Sequence, residues 1–236
     1  MIESVFSARE ISDLLLHIER DPLPRSRAGI RHALRHPAVR AVAHDTRLLG
    51  LAQAALGPAA FPFRATLFDK SAHSNWLVVW HQDTALPLVA KVAVAGWGPW
   101  SMKDGFLYAH APASALSQIL ALRLHLDDST EQNGPLRIVP GTHTLGVLTD
   151  DTLAELAGPS RNTCSLTAAA GNVVAMRPLV VHSSQKAGTE RRRRVLHIEY
   201  SSSRNFDVAE LAITDHPAGD EGTSPSSMPQ PQEKGF

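Results

Sequence analysis

The chain has one cysteine, no net charge, no long apolar run and no internal repeat, and each shortage excludes something. A lone Cys164 cannot close an intramolecular disulfide, so the fold must rest on packing, and a reducing cytoplasm is the expected location. The 23 basic residues are matched by 23 acidic ones. No overall field then draws in nucleic acid or an anionic membrane, and the expected partner is a small molecule. Nothing approaches the roughly 20 apolar residues that a bilayer crossing needs. The first residues also lack the basic leader and apolar run of a signal peptide. What is present is enough chain, 236 residues, to bury one sizeable core.

Two amphipathic helical stretches come first. Ser7-Ala8-Arg9-Glu10 has the spacing of a capping box, and Ile11, Leu14, Leu15 and Ile18 then recur at helical intervals. A second stretch runs from about Pro37 to Leu56 and is stopped by Gly57-Pro58. From Phe61 onward, short strand-like runs dominate: Arg64 to Lys70, Asn75 to Gln82, Pro87 to Val94, Ile119 to Leu126, Pro135 to Val139, Asn172 to Met176, Leu179 to Ser183 and Arg193 to Ser201. Many short strands with Gly and Pro turns favour a sandwich or barrel over alternating βαβ units. A short helix at about Asp151 to Ala157 interrupts them. The expected division is N-terminal helices over 1–60 packed on a barrel of 61–205, then a tail over 206–236 that is disordered from about Gly219, where Pro, Ser, Gly and Gln take over.

The chemistry is concentrated in His81-Gln82-Asp83, with His182 and Arg193 far downstream. Alternate residues of a strand share a face, so His81 and Asp83 can leave one strand end together. His182 lies in another apolar strand-like run. Two imidazoles and a carboxylate are a facial donor set for iron(II) that leaves positions open for an oxo-acid and dioxygen. Arg193 follows His182 by eleven residues. In the strand that starts there, Arg193, Val195, His197 and Glu199 share one face and Arg194, Leu196, Ile198 and Tyr200 the other, so one central arginine points into a barrel. A guanidinium there can grip the far carboxylate of an acid whose other end chelates iron.

These residues resemble the phytanoyl-CoA dioxygenase family of iron(II) and 2-oxoglutarate-dependent oxygenases. The matching pieces are Asn75-Trp76 leading into Trp80-His81-Gln82-Asp83, then Asn133-Gly134-Pro135-Leu136-Arg137-Ile138-Val139-Pro140-Gly141-Thr142-His143, then Val181-His182-Ser183-Ser184 with Arg193-Arg194 beyond, together spanning roughly residues 61–203. The resemblance implies a mainly β fold with flanking helices, a double-stranded β-helix (jelly roll, cupin-like) with the metal near its open end. It implies His81, Asp83 and His182 as catalytic metal ligands, Arg193 as the 2-oxoglutarate anchor, and Lys70 as a further contact to that cosubstrate; Ser184, two residues beyond His182 and so on the same face, can donate its hydroxyl to the cosubstrate carboxylate. Fe(II), 2-oxoglutarate and dioxygen are the implied reactants, with ascorbate as reductant, and hydroxylation of an unactivated carbon of a small molecule is the implied outcome. One departure is local: the family often has Asn shortly after the distal His, where this chain has Gln185-Lys186-Ala187-Gly188.

Each residue also has a plainer reading. Lys70 suits a salt bridge at the barrel rim as well as an oxo-acid contact. His143 closes a turn, and His125, alternating with Arg123 on an apolar strand, suits a packed core at least as well as a pocket. Trp76 and Trp80 read as packing, Gly134, Pro135 and Gly141 as turn chemistry, and Arg191 and Arg192 as a solvated turn. Gly96 to His110, with Trp97, Trp100, Lys103 and Tyr108, suits either a lid or a packed insertion. Two rival functions use parts of the same set. A zinc hydrolase also takes two His and one Asp but leaves Arg193 unexplained; a non-catalytic jelly roll that binds a small acid leaves the triad unexplained. Acyl-CoA, amino acids and secondary metabolites all fit as substrates.

Overall fold

The structure, a computed structural model, describes residues 1–26, 29–156 and 162–216. The expected tail from about Gly219 lies outside them. Two antiparallel sheets make the body. The larger runs in the order β1 (Gly29–Ile30), β2 (Phe61–Lys70), β12 (Arg193–Ser201), β7 (Ile119–His125) and β10 (Val173–Met176). The smaller runs β3 (Val78–His81), β11 (Val181–Ser184), β8 (Leu136–Val139) and β9 (Cys164–Leu166). Side chains from both sheets meet: Ala121 and Met176 of the larger pack with Leu136 of the smaller and with Val180. This is a jelly roll, and its middle strand β12 pairs with β2 on one side and β7 on the other.

Alternation along β12 separates two environments. Leu196, Ile198 and Tyr200 point outward into a core built with Leu67 of β2, Leu122 and Leu124 of β7, and three helices: α1 (Ala8–Arg20), α2 (Pro37–Ala43) and α3 (Thr46–Leu56). Helix α1 carries the capping box read from its sequence: Ser7 and Glu10 hold each other's backbone N–H groups. The second helical stretch is two helices rather than one, because Asp45 caps Arg47 and starts α3 afresh. Leu196, with no solvent exposure, faces both Leu67 and Leu124. Leu196→Ala is expected to lower stability by about 2–5 kcal/mol, through lost transfer energy and the cavity left behind; chemical denaturation measures it, and a loss under about 1 kcal/mol would mean that the helices cover the sheet loosely.

The stretch Gly96 to His110 is neither an irregular lid nor a loop. It contains a hairpin of β5 (Trp100–Lys103) and β6 (Phe106–His110), and β6 also pairs with β4 (Ala85–Leu88) in a third, three-stranded sheet. Asp104 and Gly105 turn the chain with positive φ at both positions, the geometry that an Asp-Gly hairpin turn provides. The tail also begins later than expected. Phe206, Ala209 and Leu211 are buried, and Thr214 N donates to Phe63 O at 2.8 Å, so the chain is packed as far as that position. No helix among the described residues is long and apolar enough to cross a membrane.

Candidate metal and oxo-acid site

His81 is the last residue of β3 and pairs across to His182 in β11. Their rings lie 4.2 Å apart, centre to centre. Asp83 is past the strand end, fixed where its backbone N–H donates to Pro178 O at 2.9 Å. Its two carboxylate oxygens each lie 3.5 Å from an imidazole Nε2, Oδ1 from His81 and Oδ2 from His182. One donor atom from each of the three residues falls within 4.8 Å of the others.

The local hydrogen bonds set the donor chemistry. Nδ1 of His81 donates to Val79 O at 2.8 Å, and Nδ1 of His182 to Val180 O at 2.9 Å. A carbonyl can only accept, so each Nδ1 carries a proton and each Nε2, on the side of Asp83, is the nitrogen left to bind a metal. Burial holds His182 below its ordinary value despite the adjacent carboxylate, keeping it neutral. Burial alone would raise Asp83, but attraction to His182 and His81 in their protonated forms holds it well below the usual carboxylate range, so it stays an anion. Against burial, Asp83 holds His81 above its ordinary value, a proton that a metal on Nε2 would displace; two imidazole nitrogens and one anionic oxygen therefore converge, and this set fits a divalent iron.

Gln82, between His81 and Asp83, turns the other way. Its Nε2 donates to Gly146 O and Leu179 O at 2.9 and 2.8 Å, and its Oε1 accepts from Leu148 N at 2.9 Å. It thereby ties the β3 end to the segment that leads into β11. Thr142 does the same from the Pro-Gly-Thr-His turn: its hydroxyl donates to Val139 O and accepts from Val181 N, both at 2.8 Å. His143 beside it is exposed, in keeping with a turn role.

A cavity opens beside the triad, walled by Phe68, Val78 and Leu136 and lined by Lys70, Trp76, Arg123, Ser184 and Arg193. Lys70 and Arg193 are cross-strand partners at the end of the β2–β12 ladder. Both are buried, and both reach the Ser184 hydroxyl: Lys70 Nζ donates to it at 2.7 Å, and an Arg193 Nη lies 3.4 Å away. Lys70 also donates to Gln185 O, and Arg193 Nε donates to Asn133 O at 3.2 Å. Neither has a carboxylate partner among the described residues, so the rim salt bridge does not form. The segment 185–188 works through its backbone instead: Gln185 O takes Lys70, and Ala187 exchanges two hydrogen bonds with the Asn75 side chain. Gly134 has to be glycine, since a Cβ there would sit 2.3 Å from Gln185 O on a backbone with φ +69°.

Trp76, Arg192 and Arg123 do more than their sequence positions suggest. Trp76 is not packing alone; it lines the cavity, with the Lys70 ammonium 5.4 Å from its ring. Arg192 is exposed, as a solvated turn requires, but its guanidinium also grips buried Asp69 through two hydrogen bonds of 2.8 and 2.7 Å, with Arg25 on the same carboxylate. Arg123, named from the sequence only as the neighbour of His125, is itself a functional candidate, and its signal is a charge on a strand that is apolar apart from it and His125. Arg194, as its parity requires, points out of the barrel to Asp127. His125 is buried but does not line the cavity. Trp80 lies under Arg137, whose guanidinium is 5.3 Å from its ring.

The profile of the phytanoyl-CoA dioxygenase family matches residues 17–195. An L-proline trans-4-hydroxylase of Streptomyces griseoviridis is 28% identical over 183 residues, which are 67% of this chain and 60% of that protein. The chain thus spans about three fifths of that relative's length. Among solved structures, EctD from S. alaskensis with 2-oxoglutarate and 5-hydroxyectoine superposes with a TM-score of 0.65 at 21% identity, over 91% of this chain and 81% of its own. HygX from Streptomyces hygroscopicus with nickel and 2-oxoglutarate gives 0.61 at 17% identity, over 91% and 90%. At these identities the likeness is one of fold.

Proposed function

The chain belongs to the phytanoyl-CoA dioxygenase family, and from that membership we propose a non-haem Fe(II)- and 2-oxoglutarate-dependent dioxygenase that hydroxylates an unactivated carbon of a small molecule. The observation that carries this reading is the pairing of two features in one cavity: a convergent His81, Asp83 and His182, and the buried cations Lys70 and Arg193, which form no ion pair with a carboxylate of the described residues. A guanidinium out of water without an anion is costly, so the cavity calls for an acid. A zinc hydrolase would leave those cations without a purpose.

Held by His81, Asp83 and His182, iron would supply the oxidising chemistry, with 2-oxoglutarate and dioxygen consumed, one oxygen atom ending in the hydroxyl of the product and the other in succinate as carbon dioxide leaves. The chain's residues do the rest. His81 and His182 donate through Nε2, held in register by Val79 and Val180, and Asp83 adds the negative charge. Arg193 and Lys70 take the far carboxylate of 2-oxoglutarate, with Ser184 between them, its own proton given to Gly134 O at 2.8 Å. Phe68, Val78 and Leu136 keep that end dry, which strengthens each charge contact.

The test is to load the protein with Fe(II) and ascorbate without oxygen, add 2-oxoglutarate and a small-molecule library that includes L-proline, the substrate named for the Streptomyces griseoviridis relative, and admit oxygen. Succinate formation coupled to a hydroxylated product is expected. A protein that binds neither metal nor 2-oxoglutarate would overturn the reading.

Lys70 predicts a pH dependence. Burial, with Arg193 and Arg123 nearby, lowers its ammonium to about 7. A dianion binds the protonated amine better, so affinity is full below that value and declines as pH rises through it. Calorimetric titration of 2-oxoglutarate into the Mn(II)-loaded protein should show weakening from pH 7 upward. Lys70→Met should bind more weakly and with a flat profile; an unchanged slope would remove Lys70 from the oxo-acid site.

A further inference from the structure

We propose that Arg123 anchors a carboxylate of the substrate to be oxidised, which makes that substrate a free acid, such as an amino acid, rather than a neutral molecule or a thioester. The inference rests on the dioxygenase reading and deepens it. Arg123 stands on β7 and lines the same cavity as the triad. It is 6% exposed. Its contacts are one hydrogen bond, from Nη1 to His197 Nδ1 at 3.0 Å, and the Phe68 ring 5.5 Å away. Its Nε has no partner, and no carboxylate of the described residues pairs with it.

Its neighbour cannot supply the missing charge. Burial, with Arg123 beside it, pushes His197 down to about 3, so that ring is neutral and offers one lone pair to a group with five N–H donors. The nearby acid on the same strand, Glu199, is committed to Arg64. Asp83 belongs to the metal donor set. Burial in turn lowers Arg123 to about 10, the mark of a cation that lacks an anion.

Nor does 2-oxoglutarate use up the positive charge. Its far carboxylate is matched by Arg193 and Lys70, which share Ser184. Arg123 pairs in register with His197, whose backbone lies four residues along β12 from that of Arg193, about 13 Å at strand rise, although the two guanidinium charges still feel each other across the cavity. The two guanidiniums therefore enter the cavity from different positions on the sheet. With three cations, the two charges of the iron, one aspartate and a dianionic cosubstrate, the cavity remains net positive. A substrate carboxylate is the group that a fork of N–H donors recognises best. A thioester carbonyl carries no charge and would leave the guanidinium unpaired.

The experiment uses protein loaded with Mn(II) and 2-oxoglutarate, so that binding is read without turnover. A panel of free L-amino acids, L-proline included, is titrated beside the matching amides, with affinity and thermal shift as readouts. At least one acid should bind while its amide binds at least tenfold more weakly. Arg123→Gln should weaken that acid about 30-fold or more and leave 2-oxoglutarate affinity within threefold of wild type, whereas Arg193→Gln does the reverse. The proposal fails if Arg123→Gln weakens 2-oxoglutarate as Arg193→Gln does, if acids bind both forms alike, or if no acid outbinds its amide. Should Arg123→Gln not fold, the acid and amide comparison on the wild type decides. Wild type that takes up no Mn(II) or 2-oxoglutarate would sink the dioxygenase reading itself, a different result from either arm.

Discussion

Asp83→Ala is expected to lower 2-oxoglutarate turnover by at least about 100-fold and to strip most of the metal that survives desalting in the wild type. The magnitude follows from what the side chain provides. Both carboxylate oxygens are 3.5 Å from an imidazole Nε2, so the one group faces both nitrogen donors. It is also the lone negative charge of the donor set. Alanine leaves two neutral imidazoles, which bind a divalent ion far less well. Asp83→Asn separates charge from shape, since the amide keeps the size and one oxygen; a loss nearly as large as that of alanine would assign the effect to charge. His143→Ala is the matched control, because its exposed ring in the Thr142–Leu145 turn contacts none of the three. Metal analysis and succinate release read all of these forms. Wild-type metal content and turnover in Asp83→Ala would dismiss the site.

Much of this arrangement was legible because period-two alternation is strict where a strand is regular. In β12 the register runs unbroken from Arg193 opposite Lys70 to Glu199 opposite Arg64, and parity alone separates Arg193 from Arg194. Where the strand is irregular, parity misleads. His182 pairs with His81 and Ser184 with Val78, so β3 uses three residue steps against two in β11. That bulge brings Val78 and His81 to the same cavity, and with them Trp76, which simple alternation places on the opposite face from His81. The β5–β6 hairpin escaped for another reason. Trp97, Trp100 and Tyr108 invite a lid reading, but Asp104-Gly105 between two short apolar runs is a hairpin signal in its own right. Arg123 was hidden by the plainest rule, that charge belongs at the surface; in a barrel the inward face of a sheet is where a ligand's charge is met.

Arg193→Ala should raise the dissociation constant for 2-oxoglutarate far more than that for the substrate. Arg193 is 3% exposed, and its hydrogen bonds go to a backbone carbonyl and to the Ser184 hydroxyl, neither of which neutralises it. Burial together with Arg123 lowers it to about 10, so it sits in the cavity as a cation waiting for an anion. Removing one partner of a buried charge pair costs about 2–5 kcal/mol, or roughly 30-fold to several thousandfold in affinity. Arg194→Ala sets the scale for loss of a guanidinium elsewhere on the strand. It breaks a bidentate pair with Asp127 on the outer face, with two contacts of 2.8 Å to the side chain, and should lower stability without touching 2-oxoglutarate binding. Arg193→Lys discriminates further, because an ammonium keeps the charge but loses the planar fork, and an intermediate affinity is expected. Titration of 2-oxoglutarate into the Mn(II)-loaded forms decides. If Arg194→Ala shows the large effect and Arg193→Ala none, then β12 is displaced by one residue and its inward face is the other one.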